Sequence, residues 1–177
     1  VSKLDADEVV VATGSVARRF RVPGIEKTVE ACEFLLDKKE VGDNVVIIGG
    51  GLTGCEIAYE LHLRGKHPTI VEMKNDLIAV KGVCLANSSY LREYFALHKV
   101  PVHLETKLLS VTDNGVKVQD KTGKEFEIPA DSVIMSVGYI PAPVAEDGKH
   151  VHVVGDSAKI GNLRTVIWGA WDVAMKL

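Results

Sequence analysis

Apolar positions along the chain fall into short unbroken runs separated by stretches in which they recur at helical spacing. Unbroken runs at residues 8–12, 45–48, 69–71 and 131–137 predict buried strands. Between the second and third, Leu52, Ile57, Ala58, Leu61 and either His62 or Leu63 recur at the spacing of a predicted helix over 52–64, with Gly65 as its stop and Pro68 opening the next strand. Thr28 is the expected N-cap of a helix reaching Lys38 or Lys39. A further amphipathic helix is predicted over Asn87 to Lys99, with Leu91, Tyr94, Phe95 and Leu97 turned inward. Short strands follow at 100–104, 107–112, 115–119 and 124–128, with turns at Asn114-Gly115 and Asp120 to Gly123, a β-meander placed after a βαβ core. After Pro141-Ala142-Pro143 come a last strand, His150 to Val154, and a helix from about Leu163.

The strand at 45–48 runs straight into G-x-G-x-x-G at Gly49, Gly51 and Gly54, with Leu52 and Thr53 inside the motif. Glu72 closes the next strand, eighteen residues beyond Gly54. This is the order of parts of a dinucleotide-binding βαβ unit. Gly49 permits the tight strand-to-helix turn, Gly51 lets the backbone approach a pyrophosphate, and Gly54 lets the helix lie close to the strand. The phosphates would sit at a helix N-terminus, where unpaired N–H groups and the macrodipole favour negative charge. Glu72 can accept hydrogen bonds from a ribose diol and would repel a 2′-phosphate, which favours NAD(H) over NADP(H). Lys74 works against that preference. Glu56, read as a first-turn residue, either complements the dipole or faces a nicotinamide.

Composition excludes several classes. The 177 residues are 46% hydrophobic and 25% charged, with a net charge of -3 and no basic stripe for nucleic acid. No apolar run reaches transmembrane length. Cys32, Cys55 and Cys84 form no C-x-x-C, and their odd number fits a reducing, cytoplasmic compartment. Cys55 reads as a small packing residue. His62, His67, His98, His103, His150 and His152 have no metal-ligand spacing, so no metal site is expected. Trp168 and Trp171 read as a core or subunit face, which leaves an oligomer open. The opening at Val1, without methionine, is read as the start of a fragment.

Four spaced segments agree with one family: V-V-V-A-T-G-S from Val9, G-G-G-L-T-G-C-E from Gly49, D-S-V-I-M-S-V-G-Y-I-P from Asp131, and V-H-V-V-G-D from Val151. Together they resemble the FAD/NAD-linked pyridine nucleotide oxidoreductases. The ending G-N-L-R-T-V-I-W-G-A-W-D-V-A-M, from Gly161, is similar to the C-terminal part of the NADH:flavin oxidoreductases of the old-yellow-enzyme type, which include 2-enoate and 2,4-dienoyl-CoA reductases.

The resemblance implies an α/β fold: a Rossmann-like NAD(H) domain with a β-meander at 40–140, and two pieces of an FAD-binding domain at 1–39 and 141–177. It implies NAD(H) at Gly49, Gly51, Leu52, Thr53, Gly54, Glu56, Glu72 and Gly138. It implies FAD at Thr13, Gly14, Gly155, Asp156, Arg164 and Thr165, with the last helix dipole and Arg164 beside the flavin. Strand-end glycines and an Asp turn are the plain structural alternatives. FMN and an iron–sulfur cluster belong to a barrel outside this chain, and no residue here is expected to be catalytic. The expected function is passage of hydride from NADH to FAD, for reduction of an activated C=C bond in the parent enzyme. An NADH oxidase, a disulfide reductase and a non-catalytic NADH-binding module are the alternatives.

Overall fold

The computed structural model describes residues 4–80 and 82–177, so the chain opening at Val1 and the position of Lys81 lie outside the described residues. In chain order the elements are β1 (Val9–Val11), β2 (Ser15–Ala17), β3 (Val29–Glu30), α1 (Ala31–Leu35), β4 (Asn44–Ile48), α2 (Leu52–Leu63), β5 (His67–Val71), α3 (Leu85–Leu97), β6 (Val102–His103), β7 (Lys107–Thr112), β8 (Gly115–Gln119), β9 (Glu125–Pro129), β10 (Ser132–Met135), β11 (Tyr139–Pro141), β12 (Val151–Val153) and α4 (Leu163–Ala174). Single 3-10 turns occupy Ile25–Lys27 and Gly155–Ser157.

Two compact units result, one from residues 20–137 and one from residues 1–19 with 138–177. Residues 20–39, expected with the first FAD piece, pack in the larger unit, where Val29, Ala31 and Phe34 join the core and Phe20 and Ile25 border it.

The larger unit is a three-layer α/β structure. Its central sheet is parallel, in the order β3-β10-β4-β5-β6. A parallel sheet covered on both faces needs apolar side chains on both sides of each strand, which explains the unbroken runs. Val45 and Ile47 face α1, α2 and α3, whose Ile57, Ala58, Leu61, Leu91 and Phe95 fill that core. Val46 and Ile48 face the antiparallel meander β7-β8-β9, against Val111, Val116, Val118 and Ile128.

Four local expectations are corrected. The helix expected from Thr28 is only five residues long. Thr28 donates its hydroxyl to the Ile25 carbonyl, and Val29–Glu30 pair with β10 as an edge strand, so sheet pairing overrides helix propensity there. Leu97 is 77% exposed, because it lies two residues, about 200° around the helix, from buried Phe95. Residues 102–103 leave the meander and extend the parallel sheet through Ile70↔Val102. The β7–β8 turn sits one residue early: Gly115, at φ +140, already pairs with Thr112 and Pro129, and a Cβ there would collide with the Ile128 carbonyl.

The smaller unit contains two strand pairs. β1 runs parallel to β12 and β2 antiparallel to β11. Glu8 spans the first pair, its carboxylate 2.9 Å from His150 Nδ1 and 2.8 Å from His152 Nε2. α4 has a two-way cap, in which Asn162 Oδ1 accepts from the Thr165 N–H and Thr165 Oγ1 from the Asn162 N–H. None of its residues is buried.

One carboxylate joins two strands of the larger sheet. Asp131 Oδ2, just before β10, accepts the Asn44 backbone N–H at 2.8 Å and its side-chain amide at 3.0 Å. Those two donors hold the Asp131 carboxyl below its ordinary value of 3.8. A lowered folded value means that the stabilisation is present above the ordinary value and fades as pH falls through the lowered one. Asp131→Asn is therefore expected to lower the midpoint of thermal unfolding near pH 7, with the gap between variant and parent closing as pH falls through the lowered value of the carboxyl. A gap that persisted in acid would show that the effect is not electrostatic.

Candidate dinucleotide site

β4 ends at Ile48, and the chain turns sharply into α2 through three glycines. Gly49 adopts φ +109, and its N–H donates to the Val71 carbonyl at 2.8 Å. A Cβ on Gly49 would collide with the Ser136 carbonyl, and one on Gly54 with the Gly49 carbonyl. These two positions are glycine because the first turn of α2 lies directly on the strand ends. Gly51 differs. It has φ −70 as N-cap of α2, and nothing lies within 4 Å of where its Cβ would be. The space over Gly51 is open, and the leading amides of α2, at Leu52, Thr53 and Gly54, have no intrahelical acceptor. That is the arrangement an anionic phosphate requires.

Glu72 faces this loop. Its Oε2 accepts the Gly50 N–H at 2.6 Å and its Oε1 the Lys74 N–H at 2.8 Å. Each carboxylate oxygen retains a second acceptor position, so the side chain can hold the loop and still accept from a sugar diol. The Lys74 ammonium donates to the Ala79 carbonyl at 3.4 Å.

The Gly50 carbonyl, in the next peptide group, is held by a residue without any sequence signal. Ile78 is 3% exposed and donates its N–H to the Gly50 carbonyl at 2.7 Å. It does so at φ +50, which is strained for a β-branched residue. Arg92 of α3 braces the segment, donating to both Asp76 oxygens at 3.0 and 2.9 Å and to the Leu77 carbonyl at 2.5 Å. The guanidinium holds the Asp76 carboxyl below its ordinary value. Cys55 Sγ lies 3.5 Å from the Gly50 carbonyl, fully buried. Burial, reinforced by the Glu72 charge, pushes its thiol up to about 12.

Glu56 is not in the first turn of α2. It is exposed in the second, beyond the leading amides. Gly138 belongs to the smaller unit, where its carbonyl accepts the Arg18 N–H at 2.9 Å.

The remaining expected residues also lie in the smaller unit. Thr13 Oγ1 donates to the Ala142 carbonyl at 3.0 Å, and Gly14, at φ +80, donates its N–H to Ser157 Oγ at 2.6 Å. Ser157 is 2% exposed and was not expected from the sequence, where nothing separates it from a turn serine. Gly155 has φ +61, and Asp156 Oδ1 accepts the Gly161 N–H at 3.1 Å, leaving its other oxygen open. Arg164 is exposed. The Thr165 amide is already capped by Asn162, so of the leading amides of α4 this one is occupied. Among the described residues no group of three or more His, Cys, Asp or Glu is placed to hold a metal ion, and no helix is long and apolar enough to cross a membrane.

Comparison with known proteins decides the family. Residues 1–166 match the model of the pyridine nucleotide-disulphide oxidoreductases. The chain belongs to that family. Its members are oxidoreductases that bind FAD and NAD(P)H. The cinnamate reductase of Clostridium sporogenes is 37% identical over the whole chain, which spans 27% of that protein. The NADH oxidase of Thermoanaerobacter brockii is 29% identical over the whole chain and 29% of its own length. The chain thus covers less than a third of these curated relatives. Among solved structures, a 2-naphthoyl-CoA reductase superposes with a TM-score of 0.83 at 24% identity, over 97% of this chain and 27% of that one. A Thermoplasma acidophilum thioredoxin reductase superposes with a TM-score of 0.74 at 21% identity, over 97% and 65%. At these identities the structural likeness establishes the fold alone.

Two outcomes follow from this pyridine nucleotide-disulphide oxidoreductase loop. Gly51→Ala should fold normally, because its φ is ordinary and its Cβ space open, yet bind dinucleotide at least about tenfold more weakly, ~1.4 kcal/mol. Gly49→Ala should instead lower the unfolding midpoint itself. Calorimetric titration with NADH beside a thermal melt separates the two. In a native alkylation series, exposed Cys84 should react with iodoacetamide while Cys55 stays unmodified until denaturant is added, because only the thiolate is nucleophilic. Mass spectrometry of the peptides reads this directly.

Proposed function

We propose that this chain is the pyridine-nucleotide-binding part of a flavin-dependent oxidoreductase that takes NADH, with the wider enzyme reducing an activated C=C bond of the enoate type. The observation carrying the nucleotide assignment is the Glu72 carboxylate on the glycine loop, 2.6 Å from the Gly50 N–H, beside the open space over Gly51. Gly51, Leu52, Thr53 and Gly54 would hold the diphosphate, and Glu72 the adenosine ribose. Thr13, Gly14, Gly155, Asp156, Arg164 and Thr165 are the residues proposed to serve FAD. When bound, NADH supplies a hydride and FAD accepts it. This chain's own part is to bind and orient.

The enoate assignment is supported by the cinnamate reductase likeness. The ending of the chain resembles that of old-yellow-type enzymes, whose FMN, iron–sulfur cluster and substrate would lie in further parts of a cytoplasmic parent. The NADH oxidase relative supports a second reading, in which the final acceptor is oxygen. Assay of the full-length enzyme with cinnamate under nitrogen, against oxygen without cinnamate, separates the two.

Titration of this chain with NADH and NADPH tests the nucleotide assignment. NADH should bind at least about tenfold more tightly, ~1.4 kcal/mol. Glu72→Ala should weaken both nucleotides, since Gly50 loses its acceptor, and should also shrink the ratio between them, since the repulsion of a 2′-phosphate is gone. Preference of the unmodified chain for NADPH overturns the assignment.

A further inference from the structure

Four of the six histidines, which have no pattern in the sequence, line one cavity that starts at the N-terminal ends of β4 and β5 and reaches His103 of β6, none of the glycine-loop residues being part of the lining. The cavity has a volume of about 560 Å³, and the four are His62, His67, His98 and His103. Its walls draw on both cores of the larger unit, Val45 and Val100 from the helix side and Val46 and Ile128 from the meander side. A space of this size suits a small organic molecule.

The chemistry of the lining narrows the ligand. His62 Nδ1 is taken by the Tyr94 hydroxyl at 2.7 Å. His98 lies against the Tyr94 ring, with centroids 4.2 Å apart, and His103 against Phe126, at 5.5 Å. Burial lowers the His103 ring below the ordinary imidazole value, which favours its neutral form. Lys99 adds an ammonium, and Glu127 at the exposed rim is the one carboxylate among the lining residues. Flat apolar walls come from Phe126, Pro68, Pro101 and Pro129. The C-terminal dipoles of α2 and α3 oppose an anion, but they are softened where the last carbonyls accept following amides, His62 from Gly65, Leu61 from Lys66, Ala96 from Lys99 and Phe95 from Val100, and the Lys99 ammonium offsets what remains. No arginine lines the cavity, which argues against a phosphate ligand.

We propose that this cavity binds a planar organic anion, an aryl carboxylate, with its ring between Phe126 and the prolines and its carboxylate on the imidazole N–H groups and Lys99. The site is separate from the nucleotide assignment and does not depend on it.

The test uses the whole chain labelled with 13C-histidine and titrated with sodium benzoate near neutral pH, read by the ring C–H signals. The expected result is saturable shifts at His62, His67, His98 and His103, with His150 and His152 still. His98→Gln and Lys99→Ala, both at exposed positions, should each weaken benzoate about fivefold or more, ~1 kcal/mol, with an unchanged circular dichroism spectrum. NADH added first should leave the benzoate affinity as it was. Equal shifts at all six histidines, a response matched by acetate, phosphate or benzylamine, an affinity untouched in both variants, or displacement of benzoate by NADH would each overturn the proposal.

Discussion

Gly50 is held through both of its backbone polar groups, and the candidate site depends on that grip. The Glu72 carboxylate takes its N–H, and Ile78 gives its own N–H to the carbonyl. A three-glycine turn has little conformational preference of its own. Holding the two consecutive peptide planes that flank the Gly50 Cα fixes the direction of the amides that follow. The Ile78 backbone is strained in the process, and the surrounding contacts of Arg92 with Asp76 and Leu77 keep it there. Glu72 therefore has a structural task before any sugar arrives. With the ribose role proposed for it, the same carboxylate would couple recognition to preorganisation.

Sheet architecture explains why these parts meet. β4, β5 and β10 run parallel and in register, so Ile48, Val71 and Met135 finish together at one edge. The turn after β4, the acid after β5 and the chain after β10 are delivered to the same place. Binding at the carboxyl ends of parallel strands follows from this geometry.

Much of this was legible in the chain. Uninterrupted apolar runs marked the doubly covered strands, and the spacing from Gly54 to Glu72 marked the loop and its acid. The Thr28 helix misled because an edge strand two residues long leaves no periodic trace. Glu56 was placed a turn too early although the helix start at Leu52 was read correctly: Glu56 is the fifth helical residue, just past the first turn. Ile78 was invisible, since its role rests on a backbone angle and one main-chain N–H, neither of which belongs to an isoleucine in particular. The gathered histidines were invisible for a related reason: their proximity comes from strand register and helix ends, across separations of tens of residues.

The two units also differ in how the chain builds them. Everything from Phe20 to Val137 is contiguous, so that portion can complete its core as soon as its last strand leaves the ribosome. The other unit pairs Val9 with Val151, so β1 must wait for a partner made more than a hundred residues later. Closing so long a loop is slow, though the entropy cost of added length grows only gently. Synthesis should therefore pass through a stage in which the meander-covered sheet is already folded while β1 and β2 still lack β12 and β11.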